Sequence, residues 1–395
     1  MAIAKHIQEA MAGSSWIRRM FEAGIELKKA RGESNVFDLS LGNPIAEPPK
    51  QFRDELKRWA TNPKPGMHRY MPNAGFLETR QAVADELSIE TNISYNPSHI
   101  LMTVGAGGAL NCVLHALCDP GDQVIIFTPF FPEYHFYAQN HFAEAVIVKC
   151  DSQFLPDLDD FSAKINTRTK VVIINSPNNP SGVVYKESTI SSIAEVLTQR
   201  ANELNIQPYL ISDEPYRKIL FDSQIYSFPQ KVYTRTITVT SHSKDLALAG
   251  ERIGYAAIHP ADPDASLLMD ALVFSNRVLG FVNAPALMQM LVAKLQDITV
   301  NVQDYQSKRD TIYNGLIEIG YELVKPQGAF YAFPKAPVED ELVFVNALQT
   351  QGVLVVPGRG FGLPGHFRIS FCVENSIIEK ALPIFAKVYT EFTHT

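Results

Sequence analysis

Short apolar runs rich in β-branched residues recur between residues 100 and 240. The runs are ILMTV (100–104), VIIFT (124–128), VVIIN (171–175), YLIS (209–212) and TITVT (236–240). Because they are continuous rather than alternating, they are typical of strands buried on both faces of a sheet. Helical patterns separate them, which predicts an α/β protein with a largely parallel sheet.

The two ends of the chain carry other patterns. Apolar residues between Trp16 and Ile25 recur at helical spacing, with Ser14 or Ser15 placed to cap that helix and Gly32 near its predicted end. More helical patterns follow residue 275, together with two strand-like runs, VLVV and FRISF. We expect these later elements to form a second, smaller domain that the N-terminal segment completes.

Composition narrows the class of protein. The 395 residues are 46% hydrophobic and 19% charged, with a net charge of -7. This acidic balance argues against nucleic acid or an anionic membrane as a partner, and no apolar run approaches the roughly 20 residues that span a bilayer. The N-terminus is too polar for a signal peptide, and the four cysteines show no metal-ligand spacing. We expect a cytoplasmic protein without a metal site.

The residues that follow the five runs are of the kinds that bind a flat, polar, phosphorylated ring. In open α/β sheets, ligands bind beyond the carboxyl ends of the strands. There the chain supplies glycines, aromatics, amides, a carboxylate, a phenol and an amine. In chain order these groups belong to Gly105–Ala109, Phe130–Phe131, Ser176–Gly182, Asp213–Tyr216 and Ser241–Lys244.

The stretch GAGGA (105–109) lacks side-chain bulk, so backbone N–H groups at the start of the next helix could approach a phosphate. A simple tight turn is an equal alternative, and the spacing is not the GxGxxG of a dinucleotide site. Lys244 lies among small and hydroxylated residues, with Arg252 eight positions on. A lysine attacks carbonyl groups when burial or a cationic neighbour keeps its amine neutral, and Arg252 is such a neighbour.

Asp213 follows a buried run, where an unpaired carboxylate would be costly. A protonated ring nitrogen would serve as its partner, although a helix cap or a surface ion pair is the alternative. Tyr216 could offer its hydroxyl to the same ring or could simply pack. In SPNNPSG, the Asn and Pro residues predict a rigid turn that gives Asn179 a defined direction.

Four segments together resemble the class I/II aminotransferases, which are pyridoxal-phosphate (PLP) enzymes of fold type I. They are SPNNPSG (176–182), SDEPY (212–216), SHSKDLALAGERIGY (241–255) and FRISF (367–371). The signatures SLGNP (40–44) and YMPNAG (70–75) are similar to a bacterial subgroup of unassigned substrate. The resemblance implies a large PLP-binding domain over residues 46–275, with a mainly parallel seven-stranded sheet between helices. It also implies a smaller α/β domain from residues 1–45 and 276–395.

The resemblance also implies roles at the reacting end of the cofactor. Lys244 matches the lysine that binds PLP covalently and later moves a proton between the substrate Cα and the cofactor C4′. Asp213 matches the partner of the pyridine nitrogen, which makes the ring an electron sink. Tyr216 and Asn179 match the residues that hydrogen-bond the 3′ oxygen.

At the phosphate end, Ser241 and Arg252 match phosphate ligands, together with the amides of Ala106 and Gly107. Tyr70 resembles the tyrosine that reaches the phosphate from a neighbouring subunit. The resemblance therefore implies a homodimer with shared active sites.

Two further matches concern the ring and the substrate. Phe131, with Phe130 as the alternative, matches the aromatic residue stacked on the ring. Arg368 in FRISF matches the arginine that binds the substrate α-carboxylate in a two-pronged fork, with help from the backbone at Gly42.

The chain departs from the aspartate enzymes at the second substrate-binding arginine, which lies four residues before a Ser-Asn pair. Here that pair matches Ser275-Asn276, and the upstream position is Ala271. Arg277 could replace the missing arginine or could belong to a dimer interface. Nearby aromatic residues would suit an apolar or aromatic amino acid equally well.

We therefore expect a transaminase that moves the α-amino group of an amino acid to a 2-oxo acid by a ping-pong route through pyridoxamine phosphate. A β- or γ-lyase of the same fold is the alternative, since it uses the same electron sink. A PLP-binding regulator is less favoured, because the N-terminus has neither the length nor the basic charge of a DNA-binding domain. The glycine spacing disfavours a nicotinamide-dependent dehydrogenase.

Overall fold

The computed structural model describes residues 3–12 and 16–393 of the chain. Within these residues the strands are β1 (Phe37–Asp38), β2 (Ile100–Thr103), β3 (Gln123–Phe127), β4 (Glu144–Val148), β5 (Thr169–Asn175), β6 (Tyr209–Asp213), β7 (Thr236–Ser241), β8 (Gly254–Ile258), β9 (Tyr331–Ala332), β10 (Val353–Leu354), β11 (Val356–Pro357) and β12 (Phe367–Ser370). The α-helices are α1 (Lys5–Ala12), α2 (Trp16–Arg31), α3 (Lys50–Thr61), α4 (Leu77–Thr91), α5 (Gly105–Leu117), α6 (Glu133–Asn140), α7 (Leu158–Lys164), α8 (Glu187–Leu204), α9 (His242–Asp245), α10 (Ala265–Val278), α11 (Ala286–Val292), α12 (Val302–Ile319), α13 (Glu341–Thr350) and α14 (Asn375–Thr393).

One seven-stranded sheet organises the middle of the chain, in the order β2-β8-β7-β6-β5-β3-β4. Neighbours from β4 through β7 are parallel, whereas β8 runs antiparallel to both β7 and β2. The predicted α/β fold with a mainly parallel seven-stranded sheet is therefore confirmed. Because β3, β5, β6 and β7 point the same way, the predicted binding residues that follow them gather at one edge.

Both faces of this sheet are buried, as the continuous apolar runs predicted. Ile126 packs in a core with residues of α5, α6 and α10, whereas its neighbour Ile125 packs in a core with residues of α7 and α8. Ile173 and Val172 of β5 divide between the same two cores. This alternation follows from the two-residue period of a strand, which sends successive side chains to opposite faces.

Residues from both ends of the chain pack together. Strand β1 pairs in parallel with β10, with Phe37 opposite Val353, and β9, β12 and β11 form an antiparallel sheet. A further core joins Leu39 to residues of α12, α13 and α14. The predicted strands at VLVV and FRISF are confirmed as β10 with β11 and as β12.

The structure also shows what the pattern missed. Strands β4 and β8 were not singled out, because β4 lies at the edge of the sheet and is partly exposed, and because β8 (GYAAI) is rich in small residues. Helix α2 ends at Arg31, so the predicted helix and its end near Gly32 are confirmed. The predicted caps, Ser14 and Ser15, lie outside the described residues. No described helix is long and apolar enough to cross a membrane.

Candidate active site

A cavity of about 210 Å³ lies where the strands of the main sheet end. Its lining includes residues that follow five different strands, as the sequence predicted. The predicted site residues in that lining are Ala106, Gly107, Phe131, Asn179, Asp213, Tyr216, Ser241, Lys244 and Arg252.

One end of the cavity is built to hold an anion. Gly105 begins α5, so the GAGGA stretch forms the first turn of a helix rather than a loop, and the N–H groups of that turn have no acceptor within the helix. Gly105 has a φ of +80°, and a Cβ there would lie 2.8 Å from Nη2 of Arg252. The absence of a side chain lets the guanidinium lie against the helix start. A helix N-terminus and a guanidinium side by side suit a phosphate.

A buried carboxylate lies elsewhere in the same cavity. Asp213 is 5% exposed, and its Oδ2 accepts a hydrogen bond from the hydroxyl of Tyr134. Among the described residues, its Oδ1 has no hydrogen-bond partner. Burial raises the pKa of Asp213 to about 7, while the Tyr134 hydrogen bond opposes that shift and the nearby charge of Glu214 adds to it. A cationic N–H donor would satisfy Oδ1 and keep the carboxylate ionised.

The SPNNPSG turn is held by Asn175, a residue outside the set predicted from the sequence. Asn175 donates through Nδ2 to the backbone oxygen of Asp213 at 2.9 Å and accepts from the backbone N–H of Asn179 at 2.7 Å. The side-chain oxygen of Asn179 in turn accepts a hydrogen bond from Nη1 of Arg368 at 2.9 Å. The amide that the sequence placed in a rigid turn is thus fixed on both sides.

Lys244 points into the cavity from α9. Its Nζ donates to the backbone oxygen of Gly42 at 2.6 Å and lies 5.4 Å from the ring centroid of Phe330. Burial lowers its pKa to about 8, and the positive charges of Arg368 and Arg252 add to that shift. Burial is therefore the main cause, with Arg252 a lesser one, and a neutral amine is accessible near physiological pH.

Residues 242–245 form the helical turn that carries Lys244. The neighbouring His242 points away from the cavity, because its Nδ1 lies 3.1 Å from Oδ2 of Asp245 and its Nε2 lies 3.5 Å from Nε2 of Gln296.

Arg368 is 1% exposed, and burial lowers its pKa below the usual arginine range. Its Nη2 donates to the backbone oxygen of Ser40 at 2.6 Å, and Nε has no hydrogen-bond partner among the described residues. The backbone that contacts Arg368 is therefore that of Ser40, whereas Gly42 contacts Lys244. A guanidinium has five N–H donors, so Arg368 keeps donors for a carboxylate.

Some predicted residues lie outside the cavity lining. Tyr70 is 91% exposed, so within one chain it does not reach the site. Phe130 packs against Gly362, whereas Phe131 lines the cavity. Of the two aromatic candidates, Phe131 is the one placed to meet a ring.

The Ser-Asn pair is tied into the protein interior. Ser275 lies 3.0 Å from His115, and Asn276 is fully buried. Arg277 is exposed on α10, with its guanidinium 5.4 Å from the ring centroid of Phe274. Arg277 therefore does not enter the cavity of its own chain.

Comparison with known proteins defines the family. The model of the aminotransferases of class I and II matches residues 34–384. The chain belongs to this family. It is 33% identical over 373 residues to a probable aspartate/prephenate aminotransferase of Thermus aquaticus, covering 91% of this chain and 93% of that protein. It is 30% identical over 370 residues to the aspartate aminotransferase of Bacillus subtilis, covering 90% and 91%.

Solved structures agree with these relatives. An amino transferase from Eubacterium rectale superimposes with a TM-score of 0.96 at 37% identity, covering all of both chains. The aspartate aminotransferase from Thermus thermophilus with maleate superimposes with a TM-score of 0.86 at 27% identity, and the match covers 98% of this chain and all of that one. The protein is thus an aspartate aminotransferase-like, PLP-dependent enzyme that acts on amino acids and 2-oxo acids. The predicted family, cofactor and reaction are confirmed, and nothing favours the lyase.

The cavity fits PLP on its own chemistry. The unpartnered Oδ1 of Asp213 suits a pyridine N–H, and the amine of Lys244 suits an aldehyde. The anion-binding end at Gly105 and Arg252 suits the phosphate.

Three neighbouring residues were not predicted from the sequence, namely Tyr134, Asn175 and Tyr331. Each of them hydrogen-bonds to a predicted residue that lies at least 38 positions away in the chain. A lone Tyr or Asn in a sequence gives no sign of such a contact.

Proposed function

We propose that Lys244, Asp213 and Tyr216 are the catalytic residues of this aminotransferase and that the cavity between them is its PLP site. One observation supports this most: an amine whose pKa is lowered to about 8 shares a cavity with a buried carboxylate that has an unpartnered oxygen. A buried amine and an unpartnered buried carboxylate both lower the stability of the fold. One pyridine that carries an aldehyde would satisfy both, because its aldehyde would bind the amine and its ring N–H would pair with the carboxylate.

The remaining lining residues hold the cofactor in this proposal. Asp213 would pair with the ring nitrogen, Tyr216 and Asn179 would hydrogen-bond the 3′ oxygen, and Phe131 would stack on the ring. The amides of Ala106 and Gly107 would hold the phosphate together with the side chains of Ser241 and Arg252.

When bound, PLP supplies an electron-withdrawing ring that lowers the cost of removing the substrate Cα proton. Lys244 Nζ would accept that proton and return it to the cofactor at C4′, because its pKa near 8 suits both accepting and giving a proton at neutral pH. Asp213 would keep the ring nitrogen protonated. Burial of Asp213 and Tyr216 keeps water away from this end of the site.

Arg368 binds the substrate α-carboxylate through its fork, beside Asn179 and the backbone at Gly42. Its burial strengthens that charge pair, since the effective dielectric is low. The contact with Asn179 keeps the guanidinium next to the cofactor-binding amide.

We also propose a homodimer with shared active sites, in which Tyr70 of one subunit reaches the phosphate bound by the other. The 91% exposure of the Tyr70 side chain and the exposed Phe274 and Val278 on α10 support a further contact in the assembly. Equilibrium sedimentation tests the dimer, and a Tyr70→Phe variant should bind PLP more weakly without losing the dimer.

We propose the domain division that the resemblance implies, with residues 46–275 as the large PLP-binding domain and residues 1–45 with 276–395 as the small one. The pairing of β1 with β10 supports joining the two ends of the chain. We place the enzyme in the cytoplasm, in amino-acid biosynthesis. All four cysteines lie in the described part of the chain and are free thiols, which suits a reducing compartment.

The decisive experiment is borohydride reduction of the PLP-loaded enzyme followed by peptide mapping. The label should lie on Lys244, and a Lys244→Ala variant should fail in both half-reactions. Lys294→Ala, at an exposed lysine, is the matched control. A label elsewhere, or normal turnover by Lys244→Ala, would refute the assignment. The names of the relatives make aspartate the first donor to test, within a panel of amino acids read by loss of the cofactor chromophore.

A further inference from the structure

We propose that Tyr331 is a positioning residue of the transamination site, which orients Tyr216 through its hydroxyl and Arg368 through the face of its ring. The proposal rests on the proposed function, because the roles of Tyr216 and Arg368 are assigned there. Tyr331 is outside the cavity lining and outside every motif that identified the family.

The hydroxyl of Tyr331 lies 2.9 Å from the hydroxyl of Tyr216, and the two side chains are 2% and 4% exposed. Burial raises the pKa of Tyr331 to about 12, so its hydrogen is retained at neutral pH. When Tyr216 donates its own hydrogen to an acceptor in the cavity, its oxygen is left to accept from Tyr331. Such a chain polarises Tyr216 and makes it a stronger donor.

The ring of Tyr331 contacts the predicted carboxylate-binding residue. The guanidinium carbon of Arg368 lies 4.6 Å from the ring centroid of Tyr331 and 4.8 Å from that of Phe361. Cation–π contacts of this kind favour one orientation of the guanidinium plane over the rings. The in-plane donors of Arg368 then stay directed at Ser40 and Asn179.

The backbone is arranged to admit this tyrosine. Strand β9 pairs with β12 so that Tyr331 lies opposite Ser370, which places its ring near Arg368 two residues away. On the other side, a Cβ at residue 42 would overlap the Tyr331 hydroxyl, so only glycine fits there. The backbone oxygen of Gly42 is the acceptor for Lys244. Tyr331 thus contacts Tyr216 and Arg368 directly, and it also contacts Gly42, whose backbone oxygen holds Lys244.

The first test is Tyr331→Phe, which keeps the ring and removes the hydroxyl. The measurement is the pH midpoint at which the visible absorption of the PLP-loaded enzyme changes. Because a weaker Tyr216 donor leaves the 3′ oxygen more basic, the midpoint should rise by about 0.5–1 pH unit. The dissociation constant of the 2-methyl derivative of the best amino donor, which has no Cα hydrogen, should change less than about threefold, since the ring under Arg368 remains.

The second test separates the ring from the hydroxyl. Tyr331→Leu should raise both the midpoint and the dissociation constant of the 2-methyl analogue, the latter by about 3- to 30-fold. Phe361→Leu removes the other ring from Arg368 and should weaken the analogue without moving the midpoint. If Tyr331→Leu does not fold, the midpoint of Tyr331→Phe still decides the proposal.

The matched control is Tyr321→Phe, which also deletes a buried phenolic hydroxyl, one that donates to the backbone oxygen of Phe385 at 3.1 Å. Tyr321→Phe should lower the thermal stability. It should leave unchanged both the pH midpoint of the visible absorption and the dissociation constant of the 2-methyl analogue. An unmoved midpoint in Tyr331→Phe, or an equal shift in Tyr321→Phe, overturns the proposal. A wild-type protein that gains no visible band with PLP would instead refute the proposed function.

Discussion

The backbone oxygen of Gly42 accepts a hydrogen bond from Nζ of Lys244 at 2.6 Å, although 202 positions separate the two residues in the chain. This contact connects the N-terminal segment to the proposed reacting amine. It holds the amine at one point of the cavity while burial keeps its pKa near 8. The consequences of this arrangement can be measured.

Gly42→Ala should lower kcat/KM by about 5- to 150-fold, because the added methyl overlaps the hydroxyl of Tyr331 and relieving such a clash costs on the order of 1–3 kcal/mol. Steady-state kinetics with the best donor measures this. Gly250→Ala is the control, since a Cβ at Gly250 meets nothing within 4 Å. Equal rates for the two variants would show that Tyr331 moves aside freely.

Lys244→Met should stabilise the cofactor-free enzyme at pH 7 by about 1–3 kcal/mol. The folded protein lowers the pKa of Lys244 from 10.5 to about 8. Below pH 8 the folded wild type therefore contains a buried charged amine, whereas in the unfolded chain water solvates the same charge and there is no burial cost. Between pH 8 and 10.5 the unfolded chain binds more protons, and wild-type stability therefore rises with pH relative to the variant. Urea unfolding at pH 7 and pH 10 measures the difference in free energy of unfolding between the variant and the wild type. This difference should be smaller at pH 10, and a difference that stays constant would contradict the prediction.

Tyr134→Phe should weaken PLP binding by about 5- to 20-fold, because a hydrogen bond to a charged group is lost. The Tyr134 hydroxyl opposes the raised pKa of Asp213, so its removal moves the acid limb of the activity profile to higher pH. A pH–rate profile and a PLP titration check both effects. Tyr233→Phe, whose hydroxyl donates to the backbone oxygen of Pro208 at 2.8 Å, should leave both unchanged.

Arg252→Ala should weaken PLP binding by about 10- to 100-fold through loss of a charged phosphate contact. Pyridoxal, which has no phosphate, should bind both proteins within about threefold, since the rest of the cavity is intact. Fluorescence titration with each compound measures the two constants. Equal weakening of PLP and pyridoxal would mean that Arg252 supports the fold and not the phosphate.

The sequence by itself determined the sheet and the chemistry at its edge. Continuous apolar runs specify strands buried on both faces, and parallel strands necessarily bring the residues that follow them to one edge. Asp213, Asn179 and Lys244 could therefore be grouped without a structure. Strand β8 was missed because three of the five residues in GYAAI are Gly or Ala, which are depleted in strands.

Tertiary structure alone decided how those groups are held. The hydroxyl of Tyr134 on Asp213, the Gly42 carbonyl on Lys244 and the ring of Tyr331 under Arg368 join residues far apart in the chain. Local propensity reports only on neighbours in sequence, whereas the pKa of a buried amine or carboxyl depends on the water and charges that packing removes or brings near. The chain thus encodes which groups meet, and close packing sets their protonation and direction.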